Sequence, residues 1–243
     1  MTRGDRIEIT VVIDSVLSMR EQQIWPYPDP LAFALAAERA GVDGILLGLR
    51  ASHVSVQDRD WQMFRELQRA RLCLAATPRP ALLRRIAESS VTRCVLIPES
   101  RHQHSSGGAL AVTVVRDELL AAGRLFESAG IELAARIDPD PVAVGHCVDA
   151  GLSAVEFNTS AFALAARAGG RARRLEELGE AVNTARAQGL RVSARGGLDY
   201  LNVTELIGCV DFSELRFGQA VISQALFDGI EASVVKMRDL LGD

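Results

Sequence analysis

The chain has 243 residues, 48% of them hydrophobic and 5% aromatic, and its formal net charge is −4 at pH 7. A chain of this length can bury a substantial core, and we predict one domain over residues 1–243. No long lysine- or arginine-rich run is present, which argues against nucleic acid or a membrane surface as a partner. The charged stretch MTRGDRIEIT lacks the apolar core of a signal peptide, and no segment approaches the ~20 apolar residues that span a bilayer. We therefore expect a cytoplasmic protein.

Eight short apolar segments alternate with longer stretches that have helical spacing. The predicted strands are IEITVVID (7–14), GILLGL (44–49), LCLAA (72–76), RCVLIP (93–98), IELAARID (131–138), AVEF (154–157), RVSA (191–194) and ELRF (214–217). Helical stretches such as LAFALAAERAG end in glycine just before the next strand, as helix C-caps often do. Cys73 and Cys94 fall in two predicted strands, where cysteine is usually a small buried hydrophobe, and the spacing of the cysteines predicts no metal site.

The alternation of apolar strands and helices indicates a parallel sheet covered by helices. Eight such units in about 250 residues predict an α/β fold of the (β/α)8 TIM barrel type. An open doubly wound sheet is the alternative, but IDSVLSM, and no G-x-G-x-x-G, follows the first strand. The longest irregular stretch, PESRHQHSSGGA at 98–109, is expected to form a flexible lid.

Active sites of such barrels lie at the C-terminal ends of the strands, so the polar residues at those ends are the candidate site. They are Asp14 and Ser15 after the first strand, Arg50 after the second, Glu99 after the fourth, Asp138 after the fifth, Glu156 and Asn158 at the sixth, Arg195, Gly196 and Gly197 at the seventh, and Gly218 and Gln219 after the eighth.

The glycines after the last two strands stand where many barrels bind phosphate through backbone N–H groups. The alternative for Gly196 and Gly197 is a tight turn that needs positive φ angles. Arg50 and Arg195 would strengthen an anion site, because a guanidinium binds phosphate bidentately. The alternative for either arginine is an ion pair with Glu156 or Asp14.

Two carboxylates are the best catalytic candidates. Glu156 interrupts an apolar strand, so it must either be paired or have a raised pKa. Asp14 ends a strand and could bind a hydroxyl group or cap the next segment. The four histidines lie away from the strand ends, namely His53, His102 and His104 in loops and His146 in a helix. The predicted pocket therefore lacks an obvious base with a pKa near neutrality.

The ordered segments VVIDSVLSMR, YPDP, AERAGVDGILLGLR, IPESR, VEFNTSAFA, GLDYLNV and ELRFGQAVISQAL resemble the pyridoxine 5′-phosphate synthase family over nearly the whole chain. That resemblance implies a (β/α)8 barrel that joins 1-deoxy-D-xylulose 5-phosphate to 3-amino-2-oxopropyl phosphate. It also implies catalysis without a metal, and we expect no other cofactor. It further implies a homo-oligomer, either a dimer or an octamer built from dimers.

Carried over by position, the resemblance assigns substrate binding to Asp14, phosphate contact to Arg50 and transition-state stabilisation to Glu156. It assigns backbone phosphate binding to Gly197 and Gly218.

Several catalytic side chains of the family are missing from this sequence. Gly48 and Gly196 stand in place of a basic and a proton-donating histidine, Ser15 and Gln219 replace two further histidines, and no glutamate occurs on the third strand. Each lost acid or base typically costs ~10²–10⁴-fold in rate, so we expect the parent reaction to be abolished.

Three hypotheses remain open from the sequence. The first is a diverged enzyme that condenses or cyclises a small anionic or phosphorylated carbonyl or amino-ketone, in a specialised biosynthetic pathway and not in vitamin B6 synthesis. The second is a catalytically silent paralogue that binds a ligand or a synthase subunit. The third is a genuine pyridoxine 5′-phosphate synthase with a rearranged site.

Overall fold

The computed structural model of the chain describes residues 6–22, 27–49, 60, 64, 70–89, 91–99, 108–168 and 170–242. Its strands form a closed parallel barrel in the order β1 to β8, in which β8 pairs with β1. The predicted (β/α)8 TIM barrel is confirmed, and closure excludes the open doubly wound sheet. None of the described helices is long and apolar enough to cross a lipid bilayer.

All eight predicted strands are present, with small shifts at their ends. Their bounds are β1 Glu8–Val12, β2 Gly44–Leu49, β3 Arg71–Ala76, β4 Arg93–Leu96, β5 Glu132–Ile137, β6 Ala154–Asn158, β7 Arg191–Arg195 and β8 Glu214–Phe217. The first strand is shorter than predicted because Asp14 already begins a helix.

The described helices follow the strands and cover the outside of the barrel. Their bounds are α1 Asp14–Glu21, α2 Pro30–Arg39, α3 Pro80–Ala87, α4 Arg116–Ala129, α5 Pro141–Asp149, α6 Ser160–Ala168, α7 Arg171–Ala187, α8 Val203–Cys209 and α9 Gln219–Leu241. Asp140 caps α5 by accepting a hydrogen bond from the Val142 N–H at 2.9 Å, with Pro141 at the first helical position. Gly130 ends α4 with a φ of 68°, which confirms the predicted glycine C-cap there.

The interior of the barrel is divided into an apolar part and a charged part. A separate apolar cluster fills the interior mainly on the side of β1 to β6, and it comprises Val12, Leu46, Cys73, Ala75, Val95, Ile97, Ala134 and Ala154. Burial raises the pKa of the Cys73 thiol to about 12. Cys73 and Cys94 are both buried, as predicted.

Ion pairs fill the N-terminal end of the barrel. Three arginines and three glutamates from six strands meet there, namely Glu8, Arg71, Arg93, Glu132, Arg191 and Glu214. Arg191 lies 2.6 Å from Glu8 and 2.9 Å from Glu214, and Arg93 lies 3.3 Å from Glu132. Within this cluster three positive charges face three negative charges. The candidate site residues were predicted at the opposite, C-terminal end of the barrel.

Candidate active site

Glu156 lies at the centre of the charged part of the barrel. It is fully buried on β6, directly opposite Arg136 on β5. Arg136 Nε donates a short hydrogen bond to Glu156 Oε1, and Arg216 Nη1 donates to Oε2 at 2.8 Å. Burial by itself raises the pKa of Glu156, but Arg136, Arg216 and Arg195 outweigh burial and lower it below its ordinary value. Glu156 was expected either to be paired or to have a raised pKa, and the structure shows that it is paired.

Arg216 joins Glu156 to the ion pairs below it. Its Nε donates to Glu214 Oε1 at 2.8 Å, and Thr10 Oγ1 donates to the same oxygen at 2.6 Å. Burial raises the pKa of Glu214, but its guanidinium partners, Arg216 first, bring that pKa down to about 2. Both glutamates are therefore fixed anions at neutral pH, unsuited to carrying protons.

Sequence reasoning did not single out Arg136 and Arg216. Both arginines are buried on their strands, as Glu156 is, but the sequence does not show that the three side chains meet. A buried carboxylate needs a buried countercharge, and Arg136 and Arg216 supply it here. Burial lowers the pKa of Arg136 to about 10, and the neighbouring charge of Arg195 adds to that effect.

Arg195 pairs with Asp14 at the mouth of the barrel. Its Nη2 lies 3.2 Å from Asp14 Oδ2, and the side chains of Arg195 and Asp14 are 14% and 38% exposed. Asp14 Oδ1 accepts a hydrogen bond from the Gly48 N–H at 2.7 Å. A Cβ at position 48 would lie 3.0 Å from the Asp14 carboxylate. The missing side chain on β2 therefore makes room for Asp14, and of the two carboxylates proposed to pair with Arg195, Asp14 is the partner.

The two glycines after Arg195 form a constrained turn. Gly196 has a φ of 133° and Gly197 a φ of 67°, which confirms the positive-φ alternative. Their carbonyl groups accept hydrogen bonds at 2.8 Å, from Thr159 Oγ1 and from Asn202 Nδ2 respectively. The carbonyl groups are thus fixed from both sides of the turn. The phosphate role of these glycines stays a prediction.

The remaining described candidates lie around the same end of the barrel. Gly218 precedes α9 with a φ of −113° and a ψ of −101°. Gln219 is exposed at the first position of α9, and Ser15 is half-buried in α1. A side chain cannot cap α9 from position 218, which leaves the first N–H groups of that helix uncapped by side chains.

Some sequence candidates fall elsewhere. Arg50, the loop histidines at 53, 102 and 104, and residues 100–107 of the expected lid lie outside the described residues. Glu99, at the start of that stretch, is exposed and accepts a hydrogen bond from Arg79 Nε at 2.8 Å. His146 lies on α5, as predicted.

A cavity of about 300 Å³ lies beside the mouth, between residues 109–113 and the start of α5. Asp138, Asp140 and His146 contribute its titratable groups. Asp138 Oδ1 accepts a hydrogen bond from Asn158 Nδ2 at 3.0 Å, which connects this cavity to the end of β6. Within the described ranges, no group of three or more His, Cys, Asp or Glu residues is placed to hold a metal ion.

Comparison with solved structures supports the fold. The chain is similar to 3-keto-L-gulonate-6-phosphate decarboxylase from Vibrio cholerae, with a TM-score of 0.66, 15% identity and 98% of each chain covered. It is also similar to the tryptophan synthase alpha-subunit from Pyrococcus furiosus, with a TM-score of 0.60, 14% identity and 98% of each chain covered. At such identities the likeness concerns the fold alone.

Sequence comparison identifies the family. The chain is 33% identical over 235 residues to a pyridoxine 5′-phosphate synthase from Magnetococcus marinus, with 97% of each protein covered. It is 28% identical to a protein of the same name from Desulfatibacillum aliphaticivorans, with 96% of this chain and 97% of that protein covered. Residues 9–243 match the family model described as pyridoxal phosphate biosynthesis protein PdxJ. A barrel with a charged C-terminal mouth and a match of this extent together establish that the chain belongs to the PdxJ family.

Proposed function

We propose that this chain is a diverged PdxJ-family enzyme that condenses or cyclises a small phosphorylated carbonyl or amino-ketone, in a pathway other than vitamin B6 synthesis. One observation carries the proposal. Arg195 reaches the mouth of the barrel immediately before the Gly196–Gly197 turn, and its one ion-pair partner among the described residues is the partly exposed Asp14. A guanidinium beside a glycine turn is a suitable receptor for a phosphate group.

The phosphate group would bind where three features meet. Arg195 supplies charge, the turn at Gly196 and Gly197 lets the backbone approach the ligand closely, and α9 begins at Gly218 and Gln219 without a side-chain cap. We further assign Arg50 and Ser15 to substrate binding, on the basis of their positions after β2 and β1.

The two candidate carboxylates receive different roles in this proposal. Asp14 is the proton acceptor, since its carboxylate is partly exposed at the mouth. Glu156 is fully buried and held by two guanidinium groups, so we assign it an electrostatic role. It holds Arg136 and Arg216 in place and contributes to the electrostatic field at the bound substrate.

The sequence changes argue against the parent reaction. Gly48 and Gly196 stand where the family carries histidines that move protons, and within the described residues the mouth has no histidine in their place. His146 is separated from Arg195 and Asp14, since it lines the side cavity. Ring closure in the parent reaction needs several proton transfers. Because these histidines are missing, we propose a reaction that needs fewer proton transfers.

A silent paralogue is the second candidate, and the geometry of Glu156 is the observation that favours it. Both Glu156 oxygens are already occupied by arginines, which leaves Asp14 as the accessible acid of the charged cluster. This alternative would be favoured if the protein co-purified with an active synthase and turned over none of the phosphorylated carbonyls tested.

The partners in this proposal are a small anionic substrate and further copies of the chain in the cytoplasm, without metal or cofactor. Leu201 and Phe227 are 89% and 84% exposed in the single chain, which supports a homo-oligomer, either a dimer or an octamer. Light scattering on the purified protein tests this assembly. A strictly monomeric mass would contradict it.

Calorimetric titration tests the proposed substrate class. The protein should bind 1-deoxy-D-xylulose 5-phosphate and should not measurably bind the same sugar without its phosphate group. Mass spectrometry of mixtures of phosphorylated carbonyls and amino-ketones with the protein should then reveal a condensed product. Equal affinity for the two sugars, or no binding of any phosphorylated carbonyl, would contradict the proposal.

A further inference from the structure

We propose that Asp14 occupies the anion site of Arg195 in the ligand-free protein, and that the anionic group of the ligand displaces it. Displacement frees Asp14 Oδ2 to face the rest of the substrate. This inference rests on the proposed function, and it adds that Asp14 sets the affinity of the site for anions.

Charge is unevenly distributed between two neighbouring strands of the barrel. Arg195 on β7 and Arg216 on β8 are directly opposite each other in the barrel register. Like charges at such positions repel, so each needs an anion nearby. Arg216 has two buried carboxylates, Glu156 and Glu214, whereas Arg195 has Asp14.

The Arg195–Asp14 pair is the weakest of these contacts. It is a single contact of 3.2 Å between partly exposed groups, whereas Arg216 makes contacts of 2.8 Å to each of two fully buried glutamates. Partly exposed ion pairs contribute little free energy, and an added anion competes with them readily. Of these two opposed arginines, Arg195 is therefore the one whose counterion can be exchanged.

Asp14 would remain in the site after the exchange. Its Oδ1 is held at 2.7 Å by the N–H of Gly48 on β2, the strand next to β1. Only Oδ2 loses its partner when an anion binds Arg195. A carboxylate oxygen without a guanidinium neighbour is a stronger acceptor for a hydroxyl or ammonium group. Binding of the anion would thus prepare Asp14 for its role in the proposed reaction.

Calorimetric titration with inorganic phosphate tests the exchange in the full chain. Asp14→Asn should bind phosphate about fivefold more tightly than the natural protein, a change of ~1 kcal/mol and the upper range for an exposed ion pair. Arg195→Gln should weaken binding by about tenfold or more, the loss expected for a charge-assisted hydrogen bond. The double variant should bind as weakly as Arg195→Gln, because Asp14 acts only through Arg195.

Asp117→Asn is the matched control. It removes one exposed negative charge from the first turn of α4, and Asp117 is not among the candidate site residues. Its phosphate affinity should stay within about twofold of the natural protein, since exposed charges are largely screened. Asp14→Ser serves as a second test in case Asp14→Asn does not fold.

The outcomes separate this inference from the proposed function. Equal phosphate affinities for the natural protein and both Asp14 variants would overturn the displacement while leaving the anion site intact. An effect of Asp117→Asn as large as that of Asp14→Asn would also overturn it, because general electrostatics would then explain both. If neither phosphate nor a phosphorylated carbonyl binds any variant, the proposed function fails as well.

Discussion

Arg195 and Arg216 lie directly opposite each other on β7 and β8, and their guanidinium groups have unequal surroundings. Arg216 is buried between Glu156 and Glu214, whereas Arg195 reaches the mouth and pairs with the partly exposed Asp14. Arg216 therefore belongs to the buried ion-pair network, whereas Arg195 is the arginine that we propose for ligand binding.

This difference predicts that replacing the two arginines by methionine changes the stability of the fold by unequal amounts. Arg195→Met should change the free energy of unfolding by less than ~1 kcal/mol, because a partly exposed ion pair is lost together with a repulsion. Arg216→Met should cost about 3 kcal/mol or more, because it leaves two buried carboxylates without their shared cation. Urea unfolding measures both values. A larger loss for Arg195→Met than for Arg216→Met would contradict the assignment.

Glu156→Gln is expected to lower the free energy of unfolding by about 3 kcal/mol. The substitution keeps the shape of the side chain but leaves Arg136 and Arg216 facing each other without an anion between them. Glu99→Gln is the control, since Glu99 pairs with Arg79 at the surface. This substitution should lower the free energy of unfolding by less than ~1 kcal/mol. Urea unfolding of both variants checks the prediction, and equal small losses would show that Glu156 is not the centre of the network.

Acid should unfold this protein through its buried glutamates. The folded pKa of Glu214 is about 2, below its ordinary value of 4.5, so the stability it contributes is present above pH 4.5 and is lost as pH falls toward 2. That loss is roughly 3 kcal/mol for Glu214 alone. The pKa of Glu156 is lowered too, so the stability that Glu156 contributes is also lost as the pH falls.

Urea unfolding at several pH values between 7 and 3 measures this dependence. The free energy of unfolding should change little from pH 7 to 5 and fall steeply below pH 4.5. Glu214→Gln should reduce this fall in the free energy of unfolding at acid pH, because the variant has no carboxyl group to protonate at that position. An unchanged fall in the variant would contradict the assigned cause.

Alanine should be tolerated less at the Gly196–Gly197 turn than at other positive-φ glycines. A Cβ at position 197 would lie 2.6 Å from Ala163 Cβ, and one at position 196 would lie 2.9 Å from the Ser160 backbone nitrogen. Gly189 has a φ of 78° but open space around its Cβ position, so Gly189→Ala isolates the cost of φ alone. We expect ~1 kcal/mol for Gly189→Ala and at least ~1 kcal/mol more for each turn variant.

Thermal and urea unfolding of the three alanine variants check this ordering. A histidine at position 196 meets the same obstruction, so restoring the family's residue there should not restore its reaction without movement of α6. Equal losses at 189, 196 and 197 would show that the turn can relax around a side chain.

The fold was predictable because its signals are local. Each strand is a continuous apolar run, and helices such as α4 end at a glycine with positive φ. The eight predicted strands are therefore all present, with errors only at their ends. The end of β1 was misjudged because the apolar run of IEITVVID continues into the residue that precedes α1.

The sequence indicated where the candidate site lies better than it indicated which arginine pairs with which carboxylate. The rule that sites lie at the C-terminal ends of barrel strands located Asp14, Glu156 and Arg195. Which cation meets which carboxylate depends on register across strands that are far apart in sequence, such as the 181 residues between Arg195 and Asp14. Arg136 and Arg216 were missed for that reason, since their role appears only when Glu156 lies between them.

The most direct test of the central claim is to measure pyridoxine 5′-phosphate formation by the purified protein, supplied with 1-deoxy-D-xylulose 5-phosphate and 3-amino-2-oxopropyl phosphate. A synthase of the family with its catalytic histidines, assayed in parallel, is the positive control. Our account predicts that this chain binds the phosphorylated sugar and forms no pyridoxine 5′-phosphate, since Gly48 and Gly196 cannot move protons. Product formed at a rate comparable to that of the control would contradict the account and would identify the chain as a genuine synthase with a rearranged site.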